Sequence, residues 1–543
     1  MRLYRYFLRS FFHSDLVARG GDPRSLAVAA AAFFGAPGVI LCLYLALLGG
    51  QGDATPELAF FVALSMILTG LLAVLAWEDL FPSRTDVLVL RPLPVSARRI
   101  VGAKLAALAS LVAGFAVIVN AYPTLLLPWM SAPGAASDSL VARMMAAQAV
   151  ATAAGGAWAF LVVLALKGLV LALGREAERL RLAALLRFGL LAALLAALLL
   201  SPNLLAPREF FRLAARGPAW CRPLFWFIGL DRRLLGNAPP AWAGYGRGAL
   251  PALAGAALAA VALYPLGCRR QFRAALGAAS APTGALARAL RPGLDRFLPQ
   301  PRQRAVFGFA AATLARSRRH RLYLSAWLGA GVAVGLETLL ASPGRASAAP
   351  VPLLGLPLVL CFFLLLGLRH TFTLPIQPAA NWIFRLSETD AQPERLGAAP
   401  KLMFAFCAAP VLLAALPLGV RLWGWRRAVM HLAWVGLLAV VLIEVLLLRF
   451  RKLPFTCPYL PDQANFKILW VLYWLGFTLY AQTMARLEYR EWSQPWRWAA
   501  TLLATAALVG ALAWEGRRWR RQLPGCQFDD EPEALVVTLF SRD

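Results

Sequence analysis

Apolar runs of about 20 residues recur along almost the whole chain, and a run of that kind restricts a fold more than any motif. About 20 helical residues cross the hydrocarbon of a bilayer, and backbone in lipid must satisfy its own polar groups, which a helix does. Twelve such runs stand at 25–49, 57–77, 104–129, 145–173, 188–205, 248–267, 322–341, 351–368, 402–422, 428–448, 468–485 and 497–515. The expectation is an all-α polytopic membrane protein with about twelve transmembrane helices. Composition agrees, since 60% of the 543 residues are hydrophobic and 15% charged, against roughly 25% charged in a soluble domain.

The net charge of +28 invites a nucleic-acid reading, but its distribution argues against one. Arginines gather at the ends of apolar runs rather than along one polar face, as positive-inside anchoring and anionic headgroups require. The partner this implies is the lipid bilayer, not nucleic acid. Strict alternation places the basic loops 175–187, 269–321, 369–401, 449–467 and 517–521 inside, with both termini cytoplasmic. Two loops depart from it, the long 208–247 and the pair Arg426-Arg427. Residues 1–24 carry Arg2, Arg5, Arg9, Arg19 and Arg24 among aromatics. They are too charged for a signal-peptide core and read as an amphipathic interfacial helix. The organisation that follows is a first six-span half at 25–267, a basic linker at 268–321, a second six-span half at 322–516 and a tail at 517–543.

The loop after the second run is built as an elbow. Asp86 to Leu90, ahead of Arg91, can form a short interfacial helix, which Pro92 and Pro94 break. Ser96 is a suitable N-cap for a second short helix from Ala97, carrying Arg98, Arg99 and Lys104 into the next run. The latter half echoes this layout. Asn381, Trp382 and Arg385 precede Lys401, which also opens a span, with 20 residues from Asn381 to Lys401 against 18 from Asp86 to Lys104. Either a second elbow or an amphipathic helix resting on the membrane is expected there.

The stretch Leu93-Pro-Val-Ser-Ala-Arg-Arg-Ile100, with Lys104 at the start of the next span, resembles the cytoplasmic elbow of bacterial type-2 ABC exporter permeases. The resemblance implies six spans per half, an amphipathic N-terminal helix and residence in the bacterial cytoplasmic membrane. It further implies that the elbow docks on a separate ABC ATPase subunit, through which ATP acts, so that this chain is a transporter permease and not itself an enzyme. Pro223 to Leu230, before the sixth span, is similar to the re-entrant or interfacial segment of many such permeases. The resemblance covers about the first 270 residues; the latter half lacks the Leu-Pro-Val-Ser signature. One chain supplying both membrane halves and a homodimer both remain open at this point.

Other chemistries lack their residues. No Gly-x-x-x-x-Gly-Lys-Ser/Thr loop is present to cradle a nucleotide, so no cofactor is expected on this chain. The seven cysteines and four histidines have no metal-ligand spacing, and no catalytic constellation is evident. The charges inside runs are Lys167, Glu337 and Glu444. Each lies near a span end, where snorkelling to the interface is the simpler reading. An ion-coupled secondary transporter would use these three groups instead, and a membrane-embedded enzyme or scaffold is a further alternative.

Overall fold

The computed structural model describes residues 2–12, 55–82, 95–132, 137–173, 176–204, 207–216, 222–236, 240–276, 296–340, 351–374, 395–448, 453–456 and 476–522, with Asp86, Leu90, Leu93 and Phe450 between them. Every regular element among them is helical, and the chain divides into two compact units, 1–280 and 281–543. The described residues hold nine helices long and apolar enough to cross a membrane, rather than twelve. The chain is a multi-pass helical membrane protein. Of the expected runs, 25–49 and residues 468–475 lie outside the described residues, and the ninth and tenth fall within one apolar stretch, Ala398–Leu446.

The first unit contains α1 (Arg2–Phe12), α2 (Thr55–Leu75), α3 (Ala97–Ser131), α4 (Asp138–Ala172), α5 (Glu176–Leu204), α6 (Pro207–Arg216), α7 (Arg222–Leu234), α8 (Pro240–Gly246) and α9 (Ala249–Leu276). Small residues set its closest approaches, as expected where helices cannot gain by hiding from water. A Cβ at Gly156 of α4 would fall 2.9 Å from Thr69 Oγ1 and 3.0 Å from Ser65 Oγ on α2. Further along α4, Gly168 faces Leu263 of α9, and Gly267 of α9 faces the Phe81 ring. Helices α7 and α8 touch backbone to backbone, since a Cβ at Gly229 would meet Gly246 N at 2.4 Å. With 13 and 7 residues they are too short to cross, and their buried Phe227, Ile228 and Trp242 join the α2 core.

In the second unit α10 (Pro301–Arg316), α11 (Arg318–Leu340) and α12 (Val351–Thr371) are followed by α13 (Ala398–Met403), a π-helical turn at Phe404–Ala408 and α14 (Ala409–Leu446). A second π-helical turn at Thr478–Thr483, then α15 (Met484–Glu491) and α16 (Pro495–Arg521), complete it. Helices α11 and α12 interlock antiparallel, with Gly331 facing Phe363, Gly335 facing Leu356 and Gly367 facing Trp327. Helix α14 is two arms. Gly424 has φ 79° and ψ 163°, a conformation open essentially to glycine alone, and the chain turns back there. Gly419 then faces Ala428, and Gly436 faces Leu412.

The stretch read as a linker, 268–321, is helical at both ends. Helix α9 continues through Leu276, and α10 starts at Pro301, where a missing N–H costs nothing. Val306, Phe307, Ala310, Thr313 and Leu314 then fall on one buried face at helical spacing.

Candidate functional site

The elbow and the N-terminal helix meet at the buried Phe7, Asp86 and Lys104, with Tyr4 and Tyr6 at the exposed edge of the contact. Tyr6 donates its hydroxyl to Asp86 Oδ1 at 3.0 Å, Tyr4 donates to Ser110 Oγ at 2.9 Å, and Phe7 is fully buried. Lys104 sits 3.9 Å from Asp86 Oδ2 and 4.7 Å from the centre of the Phe7 ring. A buried ammonium is tolerable because a carboxylate and a ring face surround it. Burial, then the hydrogen bond and charge of Asp86, push the Tyr6 phenol above its ordinary value. Ser96, Arg98 and Arg99 stay exposed. Arg91, Pro92 and Pro94 lie outside the described residues.

The helix expected to be short is not. It begins at Ala97 after an extended Ser96, whose side chain makes no cap hydrogen bond, and runs unbroken for 35 residues through Ser131. At 1.5 Å per residue that is about 50 Å, longer than the hydrocarbon by roughly 20 Å. Leu, Val and Ala continue through the junction, so nothing in the sequence stops the helix at the membrane surface.

The second unit anchors its corresponding lysine differently in detail. Lys401 donates to the Phe297 carbonyl at 3.0 Å and to Gln303 Oε1 at 2.9 Å, with Nζ 5.7 Å from the Phe297 ring centre. In each unit, then, the lysine near the start of this helix lies over a phenylalanine from the preceding part of its own unit. The residues expected to form the second elbow, Asn381, Trp382 and Arg385, lie outside the described residues.

Lys167 turns into the protein. It is 5% exposed and donates to the carbonyls of Trp77 and Glu78, just beyond α2. Orphan carbonyls and the negative end of the helix dipole attract a cation there. Tyr264 supports the same turn, donating to the Leu80 carbonyl at 2.9 Å and stacking on Phe81. Glu337 and Glu444 are half-buried. Glu444 Oε2 and Arg520 Nη2 lie 3.3 and 3.5 Å from where a Gly516 Cβ would stand, so this carboxylate faces a guanidinium.

One pair had no signal in the residue spacing. His431 Nδ1 lies 2.9 Å from both carboxylate oxygens of Glu488, 57 residues on, and both side chains are at most 2% exposed. His431 Nε2 has no hydrogen-bond partner among the described residues. The Trp423 ring centre is 5.5 Å from that of His431, and the Trp492 ring packs on Trp423 at 5.6 Å. His320 is different, because its Nδ1 faces Ser317 Oγ at 2.6 Å and its Nε2 the Leu374 carbonyl at 2.7 Å, which fills both nitrogens. Among the described residues no three His, Cys, Asp or Glu side chains gather as a metal site.

No protein-family model, curated protein or solved structure matches the chain.

Proposed function

We propose that this chain is the membrane permease of an exporter driven by a separate ABC ATPase subunit, in the bacterial cytoplasmic membrane with both termini in the cytoplasm. The observation that carries the reading is the elbow. Exposed Arg98 and Arg99 stand near the end of one 35-residue helix, and the base of that helix is clamped to α1 through Lys104, Asp86 and Phe7. Load applied at the arginines would pass to the helix base and the N-terminal helix together, as alternating access needs, with Pro123 and Pro128 placing any bend near the far end of the helix. ATP would act through the partner only.

The test is co-purification of an ATPase subunit together with charge reversal, Arg98→Glu and Arg99→Glu. The double variant should insert normally and hydrolyse ATP without transport. Wild-type coupling in it overturns the assignment.

The buried His431–Glu488 pair favours a second reading, an ion-coupled secondary transporter. Transport in proteoliposomes without ATP, driven by an imposed proton gradient and abolished by Glu488→Gln, would establish that reading instead. In the ATP-driven reading, Glu337→Gln and Glu444→Gln leave transport intact, because these groups sit near helix ends and bind no coupling ion.

A further inference from the structure

The buried polar side chains of the first unit form a seam where α2, α3 and α4 meet. Asn120 donates to Ser65 Oγ at 3.0 Å, and Ser65 donates to the Thr152 carbonyl at 2.9 Å. Gln148, one turn before Thr152, donates to the Pro123 carbonyl at 3.1 Å. Thr69 Oγ1, Thr124 Oγ1 and Glu57 Oε2 are buried without a hydrogen-bond partner among the described residues. Unsatisfied buried oxygens are costly, and these three lie on α2 and α3, two of the helices that form the seam.

At one end of the seam is a cleft of about 30 Å³, lined by Leu127, Ser131, Gln148 and Asp231 among others. That is space for about one water. Asp231 is 3% exposed, and its carboxylate accepts no hydrogen bond from the described residues. The neighbouring Arg232 instead donates to Thr55 Oγ1.

We infer that Asp231 is a proton-binding site at the mouth of this seam, its carboxylate taking one proton from hydronium, leaving water, and returning it to water on release. The ligand class follows from the size of the cleft and from the lone carboxylate within it. Burial supports the assignment by pushing the Asp231 carboxyl up to about 6, with the Arg232 charge opposing. The other ionisable groups on the elements around it are Glu57 on α2, Tyr122 in the last third of α3, and Asp138 and Arg143 near the start of α4, while Arg98, Arg99 and Lys104 stand at the opposite end of α3 and Lys167 in the last turns of α4. Arg222, Arg232 and Arg233 lie on α7 itself and Tyr245 on α8. The titratable groups of α9, from Tyr264 to Arg273, stand in its second half. The inference is independent of the exporter reading, because a protonatable seam can serve ATP-driven or ion-coupled transport.

The test uses the full chain in lipid nanodiscs, with infrared difference spectra of the protonated carboxyl stretch collected through a pH titration. A band should appear with a midpoint near 6, vanish in Asp231→Asn, persist at a shifted frequency in Asp231→Glu, and be unchanged in Glu57→Gln. A band that persists in Asp231→Asn, or one that titrates two units lower, overturns the assignment. Loss of the band on adding sodium or potassium at fixed pH also overturns it, in favour of an alkali-cation site.

Discussion

The Lys104 ammonium lies 3.9 Å from the Asp86 carboxylate, with 2% and 9% of the two side chains exposed. This contact joins the elbow to the third expected span and, through Phe7 and Tyr6, to the N-terminal helix. Removing Lys104 leaves Asp86 its hydrogen bond from Tyr6 but takes away this buried counter-charge. Lys104→Met should therefore destabilise the first unit by about 3–5 kcal/mol. The double variant Asp86→Leu with Lys104→Met should recover most of that loss. Thermal unfolding in detergent and proteolytic release of α1 would check both; a single variant as stable as wild type counts against the clamp.

Lys167→Met should cost about 1–3 kcal/mol, the penalty for leaving buried carbonyls unsatisfied, because Lys167 holds the Trp77 and Glu78 carbonyls. Lys167→Arg should not restore the loss. The guanidinium fork is larger than the compact ammonium, and the adjacent Gly168 already faces Leu263 with a Cβ separation of 3.0 Å. Denaturant unfolding of both variants distinguishes this from snorkelling, for which arginine would serve equally.

Gly424→Ala places a side chain at φ 79°, ψ 163°. The expected loss is of order 1–3 kcal/mol, caused by the backbone rather than by crowding, since nothing lies within 4 Å of a Cβ there. Equal stability of Gly424→Ala and wild type would mean that the two arms do not turn at this residue.

Asp231 makes stability depend on pH with a definite sign. Its carboxyl rises from 3.8 to about 6 in the folded chain, so the native state holds the proton more tightly than the unfolded state does. Stability should fall as pH rises between these values and stay lower above them, by about 3 kcal/mol at 1.36 kcal/mol per unit. Asp231→Asn should flatten the profile and be the more stable chain at neutral pH. Unfolding midpoints measured across that window would show it, and a wild-type profile that rises through the window contradicts the buried, unpaired carboxylate.

The amino-acid sequence by itself determined that the chain is helical and membrane-spanning, and roughly where most helices lie. Run length and arginine placement suffice because each lipid-spanning helix satisfies its own backbone locally, without help from distant residues. Thr55–Leu75 and Val351–Thr371 fall within a few residues of the expected limits for that reason. It also marked Ala97 as a helix start. The tertiary structure alone decided where polar side chains go once helices pack. Lys167 stands near the end of an apolar run, and only the approach of α4 to the end of α2 supplies the carbonyls that draw it inward. His431 and Glu488 become a pair because the arm beyond Gly424 meets α15, and Asp231 is buried because α7 packs where α2, α3 and α4 converge. A buried charge is defined by its neighbours, and helix packing, which sequence spacing does not encode, chooses them.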